Sequence, residues 1–115
     1  MEVRVRGRNV EVTDALRAHV ERHLQFALSR FGERVRRVTV RLMGIDGPSE
    51  SQDQICFIEL TWRPAGRIVV KDVNHDLHAA IYRATERVGR AVSRVAHLDS
   101  SFDGAAAGPQ GNKTR

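Results

Sequence analysis

Four arginines, Arg83, Arg87, Arg90 and Arg94, stand in the short stretch "YRATERVGRAVSR", at spacings of four, three and four. On a helix those spacings return to one side, and the four fall within about 60° of each other on the helical wheel. A guanidinium is a planar fork of donors that matches phosphate and stays charged at any physiological pH. Glu86 is the only acid in the stretch. Like charges one turn apart destabilise a helix by roughly a few tenths of a kcal/mol per pair. A solvated face built for stability alone would alternate signs. A largely uncompensated column is therefore expected to meet a polyanion whose phosphates supply the missing charge.

An earlier helical segment adds Arg17, Arg22 and Arg30, with Glu21 as partial compensation. If both helices lie on one face of a sheet, their basic flanks border a shared groove. The open sheet face is a rival surface, because Arg4, Arg6, Arg37 and Arg41 point outward on adjacent strands. With one Trp and one Tyr in the chain, base stacking is expected to matter less than phosphate and shape contacts.

His19 and His23 are one turn apart, and His75 and His78 flank the start of the second helix. A metal site needs a third converging ligand, and the sequence has no cysteine pair and no HExxH. No metal or other cofactor is expected. No phosphate-binding glycine loop or nucleophile motif is present either, so no enzyme and no small-molecule substrate are expected.

The chain has 115 residues, 41% of them hydrophobic, which suits one small domain. Its net charge is +5, and of 19 basic residues only Lys71 and Lys113 are lysine. Such a bias favours a polyanionic partner. Cys56 is the only cysteine and lies in an apolar run, where a free thiol packs as a small hydrophobe. The first residues, "MEVRVRGRN", hold no apolar signal region, and no stretch reaches membrane-span length. A cytoplasmic location without membrane contact is expected.

The elements that must position the arginines follow from periodicity. "EVRVRG" alternates as a half-buried strand, with Val3 and Val5 on one side. Thr13 is placed to cap a helix whose apolar positions are Leu16, Val20, Leu24, Ala27, Leu28 and Phe31, and Gly32 ends it. "RVRRVTVRL" turns Val38, Val40 and Leu42 inward. A polar loop, "GIDGPSESQDQ", leads to "ICFIELTWR", with Cys56, Ile58, Leu60 and Trp62 assigned to the core. "RPAG" closes a hairpin to "RIVVKDV". A second helix starts near Asn74 to Asp76 and buries Leu77, Ile81, Ala84, Val88, Ala91, Val92 and Val95. The fold class is α+β, in the order β-α-β-β-β-α, a four-stranded mixed sheet with both helices on one face. The domain spans residues 1–98, and residues 99–115, "DSSFDGAAAGPQGNKTR", are expected to be a disordered tail.

Two segments carry a resemblance. "VRGRNVEVTDALRAHVERHL" resembles the opening of the ribosome hibernation promoting factor family, also called ribosome-associated inhibitors or sigma-54 modulation proteins, through Gly7, Asn9, Val10, Thr13, Ala15, Leu16 and Arg17. "DVNHDLHAAIYRATERVGRAV" is similar to the start of that family's second helix through Asp76, Leu77, Ala79, Ala80 and Ile81. His78 stands where the family usually has Tyr, and Tyr82 where it has Asp. The resemblance covers about residues 2 to 98. It implies a short-form factor that binds the small (30S) ribosomal subunit and 16S rRNA, blocks the mRNA and tRNA sites, and acts in stress. It also implies that Arg83, Arg87, Arg90 and Arg94, with Arg22, belong to the RNA-binding flank; Arg17 and Arg30 join them from the first helix. The alternative is a protein-interaction module of the same fold that binds an acidic protein partner.

Overall fold

The computed structural model describes residues 1–45, 53–63 and 65–107, with side chains described as far as Leu98. Strand β1 (Glu2–Arg8) leads into helix α1 (Asp14–Leu28), which tightens into a 3-10 segment (Ser29–Arg34). Three strands follow, β2 (Val35–Gly44), β3 (Gln54–Trp62) and β4 (Arg67–Asn74), and the helix α2 (Leu77–Ala107). The sheet order is β1-β2-β3-β4. β1 pairs with β2 in parallel, because α1 carries the chain back across one face. The other two pairings are antiparallel.

Local chemistry explains the boundaries. Thr13 Oγ1 accepts from the Leu16 amide at 3.1 Å, satisfying a donor that the first turn of α1 leaves open. Gly32 ends the helical segment at φ 58°, a left-handed conformation that other L-residues adopt at a cost. Asp76 caps α2, its Oδ1 accepting from the His78 amide at 2.9 Å. The expected β-α-β-β-β-α order and mixed sheet are therefore present. So are the core assignments of β3, where Cys56, Ile58 and Leu60 are sealed and Trp62 nearly so.

In β2 the alternation is broken once. Val35 and Val38 are both buried with Arg36 and Arg37 exposed between them, and the pairing with β3 shifts register between Val35 and Arg37. A bulge of this kind resets which side chains face inward. Val35 thereby joins the core alongside Val38, Val40 and Leu42. α1 contributes Val20, Leu24 and Leu28, and α2 contributes Ile81, Val88 and Val92. Both helices cover the same sheet face.

The turn after β1 is held by crowding. A Cβ on Gly7 would lie 2.3 Å from the Val10 carbonyl oxygen and 2.7 Å from Val12 Cγ2. The chain returns over Gly7 because Asn9 takes φ 57°, which Asn tolerates better than most residues. Gly7 and Asn9, prominent in the resemblance, thus make the turn.

The division expected at residue 98 falls inside α2, which runs on to Ala107. Residues 46–52 of the polar loop, Pro64 of the expected hairpin turn and residues 108–115 lie outside the described residues. Among those described, no helix is long and apolar enough to cross a membrane.

Gly7→Ala should lower stability by roughly 1–3 kcal/mol, since the added methyl forces backbone movement. Urea unfolding of the two proteins measures the difference.

Candidate nucleic-acid interface

Arg83, Arg87, Arg90 and Arg94 all lie on the exposed flank of α2. Their charge is less free than the sequence suggests. Asp72, on β4, follows the inward alternation of Ile68 and Val70 and is only 6% exposed beneath α2. Its Oδ1 lies 3.4 Å from Arg83 Nε and 3.7 Å from Arg87 Nη1. Arg87 Nη1 also donates to the Lys71 carbonyl at 2.7 Å. Arg90 Nη1 lies 3.7 Å from Glu86 Oε1. The expectation of a mostly uncompensated column is thereby corrected. Two of its arginines answer a buried carboxylate that could not be left alone in the core, and a third leans on Glu86. Arg94 has no acidic partner among the described residues.

In sequence Asp72 is one more residue of the β4 segment, and its role emerges only from the packing of α2 over the sheet. The signal was present: alternation from Ile68 through Val70 puts a carboxylate on the apolar side, and such a group demands a cation from whatever packs above it. The same carboxylate sits across from Cys56 in the β3–β4 pairing. Burial first, and Asp72's charge second, push the Cys56 thiol up to about 12.

The two helices meet at small side chains. A Cβ on Gly89 would stand 3.4 Å from Ala27 Cβ, so α1 and α2 approach closely there. Beside that contact a groove of about 340 Å³ is lined by Phe26, Ala27, Arg30, Glu86, Gly89 and Arg90. The shared basic groove expected between the helices therefore exists, with Arg30 on one bank and Arg90 on the other. Arg30 is steadied by the Phe31 ring, whose centroid lies 4.9 Å from its guanidinium carbon. Arg22 is exposed on α1 one turn before Phe26. Arg17 is not part of this arrangement; its Nη1 donates to the Val5 carbonyl at 3.5 Å, toward β1.

The rival basic surface on the open sheet face is partly neutralised. Arg4 and Arg37 share Glu2, at 3.0 and 3.1 Å. Those contacts, Arg37's first, hold the Glu2 carboxyl below its usual range. Arg67 pairs with Glu59 at 3.0 Å. Arg6, Arg8 and Arg41 border a shallow cavity of about 390 Å³ against Phe57.

The histidines converge more than expected. His19 lies edge-on to His23, with centroids 4.4 Å apart, and to His78 at 4.7 Å; Tyr82 stands 5.9 Å from His23. His75 turns away and pairs with Asp53 at 3.2 Å. The three rings pack by their edges, and among the described residues no group of three His, Cys, Asp or Glu is placed to hold a metal ion. Burial first, then the neighbouring His23, His78 and Arg22, hold His19 below its ordinary 6.5.

What fold and surface define together is a small basic α+β domain with a cationic flank along two crossed helices. Residues 3–97 match the family described as sigma 54 modulation protein / S30EA ribosomal protein, and the chain belongs to that family. Among solved structures it is similar to the Protein Y N-terminal domain of Thermus thermophilus. The two are 31% identical with a TM-score of 0.69, over 83% of this chain and 99% of that one. It shares its fold with a ribosomal subunit interface protein of Coxiella burnetii, at 14% identity and a TM-score of 0.68, over 84% and 99% of the two chains. A comparison with curated protein sequences finds no match.

Replacing Arg83 and Arg87 together by alanine should cost about 2 kcal/mol, because it strands Asp72; half-exposed arginines contribute less than a fully buried pair. Adding Asp72→Asn should recover much of that loss. Arg90→Ala with Arg94→Ala should stay within about 0.5 kcal/mol of the parent. Denaturant unfolding of the set measures the coupling.

His19 sets an acid-side prediction. Its folded pKa lies below the unfolded value, so folding disfavours the bound proton. Its stabilising share is complete above the unfolded pKa and is lost as pH falls through the depressed folded value. The melting temperature should therefore drop on acidification from about pH 7.5 to about pH 5, through the range in which imidazoles titrate. His19→Gln should flatten that drop.

Proposed function

We propose that this chain is a ribosome-associated translation inhibitor of the hibernation type, acting in the cytoplasm. It binds 16S rRNA of the small (30S) subunit through the flanks of α1 and α2 and occupies the path of mRNA and tRNA. The observation that carries this reading is the cationic groove at the helix crossing, Arg30 facing Arg90, in a chain of a ribosomal-protein family. Arg22 and Arg94 extend the basic surface from that groove along each helix. Arg83 and Arg87 lie beside it with their guanidinium edges held by Asp72. This anchoring limits the rotamer freedom that would be lost on binding. Arg17, turned to β1, contributes at the margin.

The mode of action is occupancy. Cationic side chains displace condensed counterions from the phosphates, so affinity falls steeply with salt. A bound domain in the path of mRNA and tRNA excludes both ligands and is excluded by them, which makes the inhibition reversible by mass action.

Co-sedimentation with purified small subunits over a salt series is the test. Arg90→Ala with Arg94→Ala should weaken binding without loss of fold. It should flatten the log–log salt slope by about 0.7–0.9 for each phosphate contact removed. In cell-free translation the protein should inhibit in proportion to ribosomes occupied, and excess mRNA with initiator tRNA should relieve it. Unchanged affinity and slope in the double variant, with a loss instead in Arg6→Ala/Arg41→Ala, would move the site to the sheet face. Failure of the parent protein to sediment with subunits at moderate salt would favour an acidic protein partner.

A further inference from the structure

Phe26 is the most exposed large hydrophobic side chain described, at 90%, and it sits in the middle of the cationic flank. On α1 Arg22 stands one turn before Phe26, and Arg30 follows in the 3-10 segment that continues the helix. Across the close helix contact, Glu86 and Arg90 form the other bank. The apolar ring therefore follows Arg22 on its own helix and shares the groove with Arg30 of the 3-10 segment and Arg90 of α2. Phe26 is not held in the core and has no ring partner among the described residues. The other exposed apolar residues of the sheet and helices lack this setting; Val69 and Val73, for example, lie on edge strand β4.

We propose that the groove between α1 and α2 is a nucleobase site, in which one unpaired base of an RNA stacks on the Phe26 ring while its flanking phosphates lie on Arg22, Arg30 and Arg90. The inference deepens the RNA-binding reading and rests on it. Three features select this occupant. The rim is cationic, so it complements a polyanion and opposes a second copy of the same face, which would set these arginines against themselves. The groove, about 340 Å³, is at the small end of ligand sites and takes a planar ring rather than an element of secondary structure. Glu86 forms part of its wall, with Oε2 accepting from the Tyr82 hydroxyl at 3.1 Å. A carboxylate there repels a phosphate and accepts from the amino edge of a base, as carboxylates do with the N4 amino group of cytosine. Base and backbone are thus sorted to different parts of the site: ring into the groove, phosphates to the rim.

Stacking and phosphate contact differ in their salt dependence, and the test uses that difference. A short oligocytidine RNA and a blunt RNA duplex are titrated with the parent, Phe26→Leu and Phe26→Trp over a salt series. Phe26 is exposed, so neither substitution threatens the fold. Phe26→Leu keeps the apolar bulk without the ring; it should weaken oligocytidine binding about tenfold, within the range of base–aromatic stacking. The salt slope should be unchanged, because no phosphate contact is removed. Phe26→Trp should bind at least as well as the parent, and its added indole fluorescence should be quenched by the RNA. Duplex binding, where bases stay stacked on each other, should be equal in all three. Parent-like binding of the single strand by Phe26→Leu overturns the base site while leaving the phosphate-binding reading intact. So does an equal loss on duplex, or a dimer of the parent that Phe26→Leu abolishes in sedimentation. If the parent binds neither RNA nor small subunits, the base site and the functional reading fall together.

Discussion

A carboxylate beneath a helix is a demanding thing to build around. Asp72 lies on the apolar side of β4 with its Oδ2 buried and without a hydrogen-bond partner among the described residues. Removing such a charge from water is tolerable only where cations come to it. Arg83 and Arg87 do so from α2, and the Lys71 carbonyl takes one of Arg87's donors. This contact sets how α2 sits about its own axis over the sheet. Rotating the helix enough to free the two arginines would also lift Ile81, Ala84 and Val88 from the core. The register of the core face and the direction of the basic flank are thus one decision. Arg90 and Arg94 then take the positions that a helix so oriented leaves them.

The interface is accordingly made of two kinds of arginine. Those near β4 are structural on one edge and open on the other. Those nearer the helix crossing are held weakly or not at all and carry most of the adjustable charge. A partner that approaches along α2 meets first a pair held by Asp72 and then two arginines of which, among the described residues, only Arg90 has an acidic neighbour, Glu86. The outer sheet face has a different balance, with Glu2 and Glu59 drawing three of its arginines into surface pairs.

Much of this was legible in the sequence, because it was local. The Thr13 cap, the Gly32 stop, the inward positions of β3 and the helical column of arginines each depend on residues within a few turns of one another. The family likeness rested on Gly7 and Asn9, whose spacing records a backbone crowded against Val10. What escaped depended on distant parts of the chain. Asp72 meets Arg83 and Arg87 only once α2 lies over β4. His78 reaches His19 only once the helices cross. Phe26 falls outside the apolar positions assigned to α1, and nothing local to it shows that it would border a groove made with Gly89 and Arg90 of the other helix. The bulge in β2 was hidden for a related reason, since two adjacent arginines give no sign of which one the partner strand will skip.

Cys56 lies at the centre of this arrangement, sealed in β3 across from Asp72. The thiolate is the form that reacts, and here both burial and a neighbouring negative charge suppress it. A thiol in that position is silent toward oxidants and alkylating reagents while the sheet and α2 remain joined. It becomes ordinary when they part. The chain's only cysteine is therefore a clock for its own opening: the rate at which it takes up a label reports how often α2 leaves the sheet. Any ligand gripping both helices would slow that clock, without touching the sulfur.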